Sequence, residues 1–230
     1  MKNRVSINQL VLFFLVFLIS AKLIAEDYEY DPLVGEEINE VCAGCHGEFA
    51  QGGKQGKYPR LAGLPYEFLV EQIKRFQDRS RPNMPMVEHV EERQLPDRDI
   101  FDISRYLSEM KLATRLPPID ESAPDFDAYQ RLLDADKIIQ IPRSKGDIKA
   151  GEKMYKKECR SCHGRAGEGD NKDAVPMLAG QYTQYLWRQV GLYIKGIRVH
   201  DKDDPDEELL ADFTKEELRD IFSYASVLDD

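Results

Sequence analysis

The chain has 230 residues, with 32 Lys and Arg against 42 Asp and Glu and a formal net charge of −10. That acidic balance excludes nucleic acid as a natural partner and favours partners with basic docking surfaces. The first residues read as an export signal. Lys2 and Arg4 give a positive start, Leu10 to Ile19 is an apolar run, and Ala21 and Ala25 are small residues at cleavage positions. Cleavage after Ala25 removes Lys2, Arg4 and Lys22 and moves the formal charge from −10 to −13. The alternative is an uncleaved, membrane-anchored start facing the periplasm, although the apolar run is short for a span and no second run follows. Either way the rest of the chain is expected in the periplasm. About 205 residues remain, enough for two small domains.

An amphipathic helix comes next, with Val34, Ile38 and Val41 on one face. It leads into Cys42-Ala43-Gly44-Cys45-His46. The same pattern returns as Cys159-Arg160-Ser161-Cys162-His163, 117 residues later. This is the c-type haem attachment signature. Two thiols at i and i+3 lie on one helix face and can both form thioethers with one porphyrin edge. The following imidazole then reaches the iron. A redox disulfide or a zinc site would not require a histidine directly after each second cysteine. Two covalently attached haem c groups are therefore expected, bound through Cys42, Cys45, His46, Cys159, Cys162 and His163.

The repeat extends beyond the motifs. Pro59-Arg60-Leu61-Ala62-Gly63 matches Pro176-Met177-Leu178-Ala179-Gly180, and Leu69, Gln72, Phe76 and Arg81 match Leu186, Gln189, Tyr193 and Arg198. After a small insertion, Ile103 and Tyr106 match Ile221 and Tyr224. Two copies imply a duplicated domain rather than a solenoid. Each copy continues with a Gly-rich loop, suited to backbone lying close to a flat cofactor. A helix is expected over Tyr66 to Gln77 and over Thr183 to Lys195. A last helix starts near Pro96-Asp97 and near Thr214-Lys215, with acidic residues in its first turn. Between the copies, Pro117, Pro118, Pro124 and Pro142 mark a linker. Its middle, Phe126 to Ile139, can form a short helix packed on one domain. The expected fold is all-α: two tandem domains over 26–111 and 146–230, joined by a Pro-containing linker over 112–145, after a signal over 1–25.

With these motifs the chain resembles the tandem dihaem class I cytochromes c, the c4 type. It is also similar to the dihaem cytochrome subunit of flavocytochrome c sulfide dehydrogenase. The resemblance implies that Pro59 and Pro176 pack near the proximal histidines. It also implies a methionine as distal ligand in a loop before each last helix. In the first half Met86, which follows Pro85, is the preferred ligand, with Met84 as the alternative. His89 reads as a surface histidine. The second half departs from the pattern, because no methionine follows Met177 and Met177 lies inside the proximal Pro-x-Leu-Ala-Gly element. Asp206 stands where Met86 does, and a carboxylate is an unusual axial ligand here. His200, paired with Asn83 by the repeat, is the expected second distal ligand and gives a bis-histidine haem of lower potential. An open or water-bound iron, or Lys202 as ligand, is the alternative.

The function expected is single-electron transfer between a dehydrogenase or quinol-oxidising complex and an oxidase, reductase or another cytochrome. No convincing acid, base or nucleophile constellation accompanies it. The alternative is a redox enzyme, or the cytochrome subunit of a flavoprotein dehydrogenase, acting on a small inorganic substrate at an open second haem. The acidic run Asp201 to Glu208 reads as a solvated loop.

Overall fold

Asp31 starts the first helix: its carboxylate accepts from the Leu33 N–H at 3.0 Å, Pro32 fills the first turn, and α1 runs Pro32–His46. The structure, a computed structural model, describes residues 28–112, 116–136, 138, 142–201 and 209–228. The expected signal and most of the acidic run, including Lys202 and Asp206, lie outside the described residues. Asp31–Asp230 form one compact unit. Among the described residues the architecture is all-α, with isolated bridges such as Gly53 to Tyr58 and Asp170 to Val175.

The first half adds α2 (Tyr66–Gln77), α3 (Met84–Val90) and α4 (Asp97–Glu109). After α5 (Ala128–Asp136) the second half begins at Asp147, whose side chain accepts from Lys149 and Ala150 N–H. There α6 (Ile148–Met154) widens into a π-helical turn, Tyr155–Cys159, and closes as α7 (Arg160–His163). Then follow α8 (Thr183–Ile194), α9 (Leu209–Asp212) and α10 (Lys215–Ala225). The π turn has a simple cause. Cys42 lies eleven residues after Asp31, whereas Cys159 lies twelve after Asp147. One extra residue in a helix is absorbed most locally by a single i→i+5 turn.

In each half the first helix crosses the last at a glycine. Gly35 lies against Tyr106 and the Asp102 carbonyl on α4, and Gly151 against the Asp220 carbonyl on α10. The buried face of α1 is therefore Gly35, Ile38, Asn39, Cys42 and His46, spaced for one helix stripe. Val41, expected on that face, is 69% exposed instead. Close helix approach puts the smallest residue, not the largest, at the centre of the contact.

The two halves share a core. Met177 and Ala179 from the second half are buried with Leu64, Leu69, Ile100 and Leu107 of the first. Polar contacts also cross: the Gln181 amide donates to Arg60 O at 3.0 Å, and Arg188 donates to the carbonyls of Gly56 and Lys57 at 2.7 and 2.8 Å. In the linker, α5 forms within the expected segment but leaves Tyr129 and Leu132 70% and 58% exposed. That apolar face is thus not packed on a domain; Arg131 instead donates to Pro117 O within the same segment, at 2.8 Å.

Candidate functional site

Each Cys-x-x-Cys-His motif closes a helix, and each helix ends at a glycine with positive φ, Gly47 (+83°) and Gly164 (+85°). The chain then loops back so that the Pro-x-Leu-Ala-Gly element passes the histidine. His46 Nδ1 bonds to Pro59 O at 2.9 Å, and His163 Nδ1 to Pro176 O at 2.9 Å. A carbonyl can only accept, so Nδ1 donates and the lone pair lies on Nε2. The prolines therefore do more than pack nearby, because their carbonyls set tautomer and ring orientation.

Loop glycines make this return possible. Gly52 N–H donates to His46 O (2.7 Å) and Gly169 N–H to His163 O (2.9 Å). Both have positive φ, and a Cβ on Gly52 would stand 2.7 Å from Arg60 N, on Gly169 2.4 Å from Val175 O. At these two positions the glycine is required by close approach of the chain to itself.

Burial pushes the Cys42 and Cys159 thiols up to about 11, so the thiol form prevails at neutral pH. Burial also lowers the His46 imidazole and takes His163 down to about 4 despite the Pro176 carbonyl. Both imidazoles are thus neutral donors. No cluster of three or more His, Cys, Asp or Glu converges on a metal-sized site among the described residues.

On the distal side of the first half, Met86 is partly buried against the first-half core, whereas Met84 is 61% exposed and His89 is exposed. The expected loop is a helix here, because Pro85 suits the first turn of α3. In the second half, the exposed His200 faces His163 with ring centroids 6.2 Å apart and planes at 32°. Tyr193 supports His200 edge-on at 5.2 Å. Met177 is 7% exposed in the shared core.

Two features escape a reading of the sequence. The Asn39 amide donates to Glu48 O at 3.0 Å, and the Tyr155 hydroxyl to Gly164 O at 2.9 Å, so unlike side chains pin the loop after each motif. The repeated residues Gln72, Arg81, Gln189 and Arg198 meet one another across the two halves. Arg81 donates to Gln72 (3.0 Å), Gln189 (3.2 Å) and Tyr185 (3.0 Å), and Arg198 to Gln189 (2.6 Å) and Gln72 (2.8 Å). Their pairing by the repeat was the available signal. Arg81 and Arg198 are 9% and 7% exposed, with no carboxylate partner among the described residues.

The donor set fits a covalently attached haem. Two thiols one turn apart precede an imidazole whose Nδ1 is already satisfied, and a buried cationic cluster lies nearby.

Residues 148–226 match the cytochrome c family model. The thiosulfate dehydrogenase electron acceptor of Stutzerimonas stutzeri is 29% identical over 184 residues, covering 80% of this chain and 77% of that protein. Cytochrome c4 of Azotobacter vinelandii is 23% identical over 194 residues, covering 76% and 77%. The crystal structure of reduced cytochrome c4 from Pseudomonas stutzeri superposes with a TM-score of 0.62 at 22% identity, covering 86% of this chain and 98% of that one. The chain thus has the fold of tandem class I cytochromes c, its second half matches the cytochrome c family, and by sequence it is similar to c4-type dihaem cytochromes and to a thiosulfate dehydrogenase electron acceptor.

Proposed function

We propose that this chain is a periplasmic electron carrier with two haem c groups, one in each of the domains 26–111 and 146–230, joined by the linker 112–145. One observation carries the reading: both motif histidines donate Nδ1–H to the carbonyl of a repeated proline at the same 2.9 Å. The two halves thus prepare one proximal geometry twice. A haem bound there supplies a reversible one-electron couple, with a potential that follows its axial ligands and surroundings.

The residues divide the work. Cys42, Cys45, Cys159 and Cys162 hold the porphyrin covalently. His46 and His163 present Nε2 as proximal ligands. Met86 is the distal ligand of the first haem, supported by its burial beside the exposed Met84. His200 is the distal ligand of the second. An imidazole–metal bond is about 2 Å and the ring centre lies about 1 Å behind the nitrogen, so opposed imidazoles on one metal have centroids about 6 Å apart. The 6.2 Å between His163 and His200 matches that spacing. Softer thioether ligation on the first haem and imidazole on the second give the first the higher potential.

Relatives named as acceptors for thiosulfate dehydrogenase support a dehydrogenase subunit as electron donor, with an oxidase, another cytochrome or a quinol-oxidising complex as further partners. The acidic balance favours basic docking surfaces on them.

The test is carbon monoxide binding to the dithionite-reduced protein after haem stoichiometry by pyridine haemochrome. Two haems and no uptake are expected of the carrier. One carbon monoxide per chain would replace it with an enzyme, or the cytochrome subunit of a flavoprotein dehydrogenase, working at an open second haem. Fewer than two haems would overturn both.

A further inference from the structure

The repeat pairs Arg60 with Met177, the second residue of each Pro-x-Leu-Ala-Gly element. The two positions share a place in the loop and differ in charge. The peptide unit between Pro59 and Arg60 accepts from His46 Nδ1 at 2.9 Å through its carbonyl and donates to Gln181 Oε1 at 3.1 Å through its N–H. Gln181 Nε2 closes the clamp by donating to Arg60 O at 3.0 Å. Gln181 belongs to the second half. The repeat puts Leu64 in its place in the first half, and a leucine cannot return the clamp.

The Arg60 side chain is 2% exposed. It stays with its own loop: Nε donates to Ala62 O at 2.9 Å, and a Cβ on Gly63 would stand 3.4 Å from Arg60 Nη2 and 3.9 Å from the Met177 methyl. The guanidinium therefore lies along the element that carries the His46 acceptor, and Met177 reaches the same glycine. A guanidinium keeps its charge throughout the working range of pH. The Ala62 carbonyl is a neutral acceptor, so that bond satisfies a donor without cancelling the charge. Burial removes the salt that would screen it. The other two arginines buried at the junction, Arg81 and Arg198, are equivalents by the repeat and treat the halves alike. Arg60 is paired with an uncharged thioether and does not.

We propose that Arg60 is a potential-setting residue of the first haem. The assignment rests on the haem reading above and extends it to what separates the two potentials. Oxidation places one more positive charge on the iron beside His46. Arg60 opposes that charge through space and favours the reduced state, while exchanging neither proton nor electron itself. Met177 gives the second haem no counterpart. Arg60 thus works in the same direction as thioether ligation of the first haem and independently of it.

The experiment uses the full holoprotein. Pyridine haemochrome first counts the haems, so failure of the haem reading shows before Arg60 is tested. The electron paramagnetic resonance signal lost or altered in His46→Met is assigned to the first haem, and redox titration follows each signal. At the effective dielectric of a protein interior, a unit charge about 10 Å away shifts a one-electron equilibrium about tenfold, or about 59 mV. Arg60→Met is expected to lower the reduction equilibrium of the first haem by that factor and of the second by less. Arg60→Lys keeps the charge and should leave the first haem close to the wild type. An unchanged first haem in Arg60→Met overturns the proposal, and so does an equal shift of both haems. A fall in Arg60→Lys as large as in Arg60→Met assigns the effect to loop geometry and overturns it too. Should Arg60→Met fail to fold, Arg60→Gln keeps a donor for Ala62 O and loses the charge. It must show the same fall of the first haem, and a wild-type potential there overturns the proposal.

Discussion

Gly151 packs directly on the backbone of Asp220: a methyl group on it would stand 1.9 Å from the Asp220 carbonyl oxygen. The related contact in the first half is looser, with Gly35 2.6 Å from the Tyr106 Cβ in the same sense. Gly151→Ala should therefore destabilise the protein by about 3 kcal/mol, the upper end for overpacking, and Gly35→Ala by about 1–2 kcal/mol. Chemical unfolding followed by far-ultraviolet circular dichroism reads both. Equal losses would mean that the two crossings are equally tight.

The Tyr155 hydroxyl pins the loop after the second motif through Gly164 O at 2.9 Å. Tyr155→Phe keeps the fully buried ring and removes one bond, so a loss of about 1 kcal/mol is expected. Haem content should not change. A variant as stable as the wild type would show that the π turn holds itself.

Distal ligation has a spectroscopic signature. His200→Ala should turn the second haem high-spin and admit one carbon monoxide per chain, whereas His89→Ala should change neither. Met86→Ala should abolish the thioether–iron charge-transfer band, and Met84→Ala should leave it intact. A band lost with Met84 instead exchanges the two methionines.

The last helix begins in a capping box. Thr214 Oγ accepts from Glu217 N–H at 3.2 Å, and Glu217 accepts from Thr214 N–H at 2.8 Å. The Thr214 backbone bond, then its side-chain bond, holds the Glu217 carboxyl below its ordinary value. A carboxyl lowered on folding contributes stability above its unfolded pKa and loses it as pH falls through the lowered folded value. Urea unfolding across that acid range should give Glu217→Gln a flatter pH profile than the wild type. Thr214→Ala should cost about 1 kcal/mol at neutral pH. Parallel profiles would remove Glu217 from the acid response.

Much of this was legible in order. Tyr66–Gln77 is the expected helix, and the last helices start at the expected acidic turns. Hydrophobic spacing and first-turn charge are local signals, so they survive without a tertiary frame. Other features were hidden for physical reasons. Asn39 and Tyr155 perform one task with different chemistry, and the one-residue insertion that relates them shows only when the distances from Asp31 and Asp147 to their cysteines are compared. Val41 looked like core because it is apolar, while the helix crossing is decided by Gly35. The repeat named Arg81 and Arg198 as equivalents. That equivalents meet across the duplication depends on how the halves dock, which no periodicity encodes.

Docking has one more consequence. The first-half core is completed by Met177 and Ala179, residues from the far side of the linker. The two halves are therefore not independent of one another. Proteolytic nicking of the exposed segment around Tyr129 and Leu132 should yield two fragments that co-elute under native conditions. Expressed alone, the N-terminal fragment would display a hole where its sibling's methionine belongs.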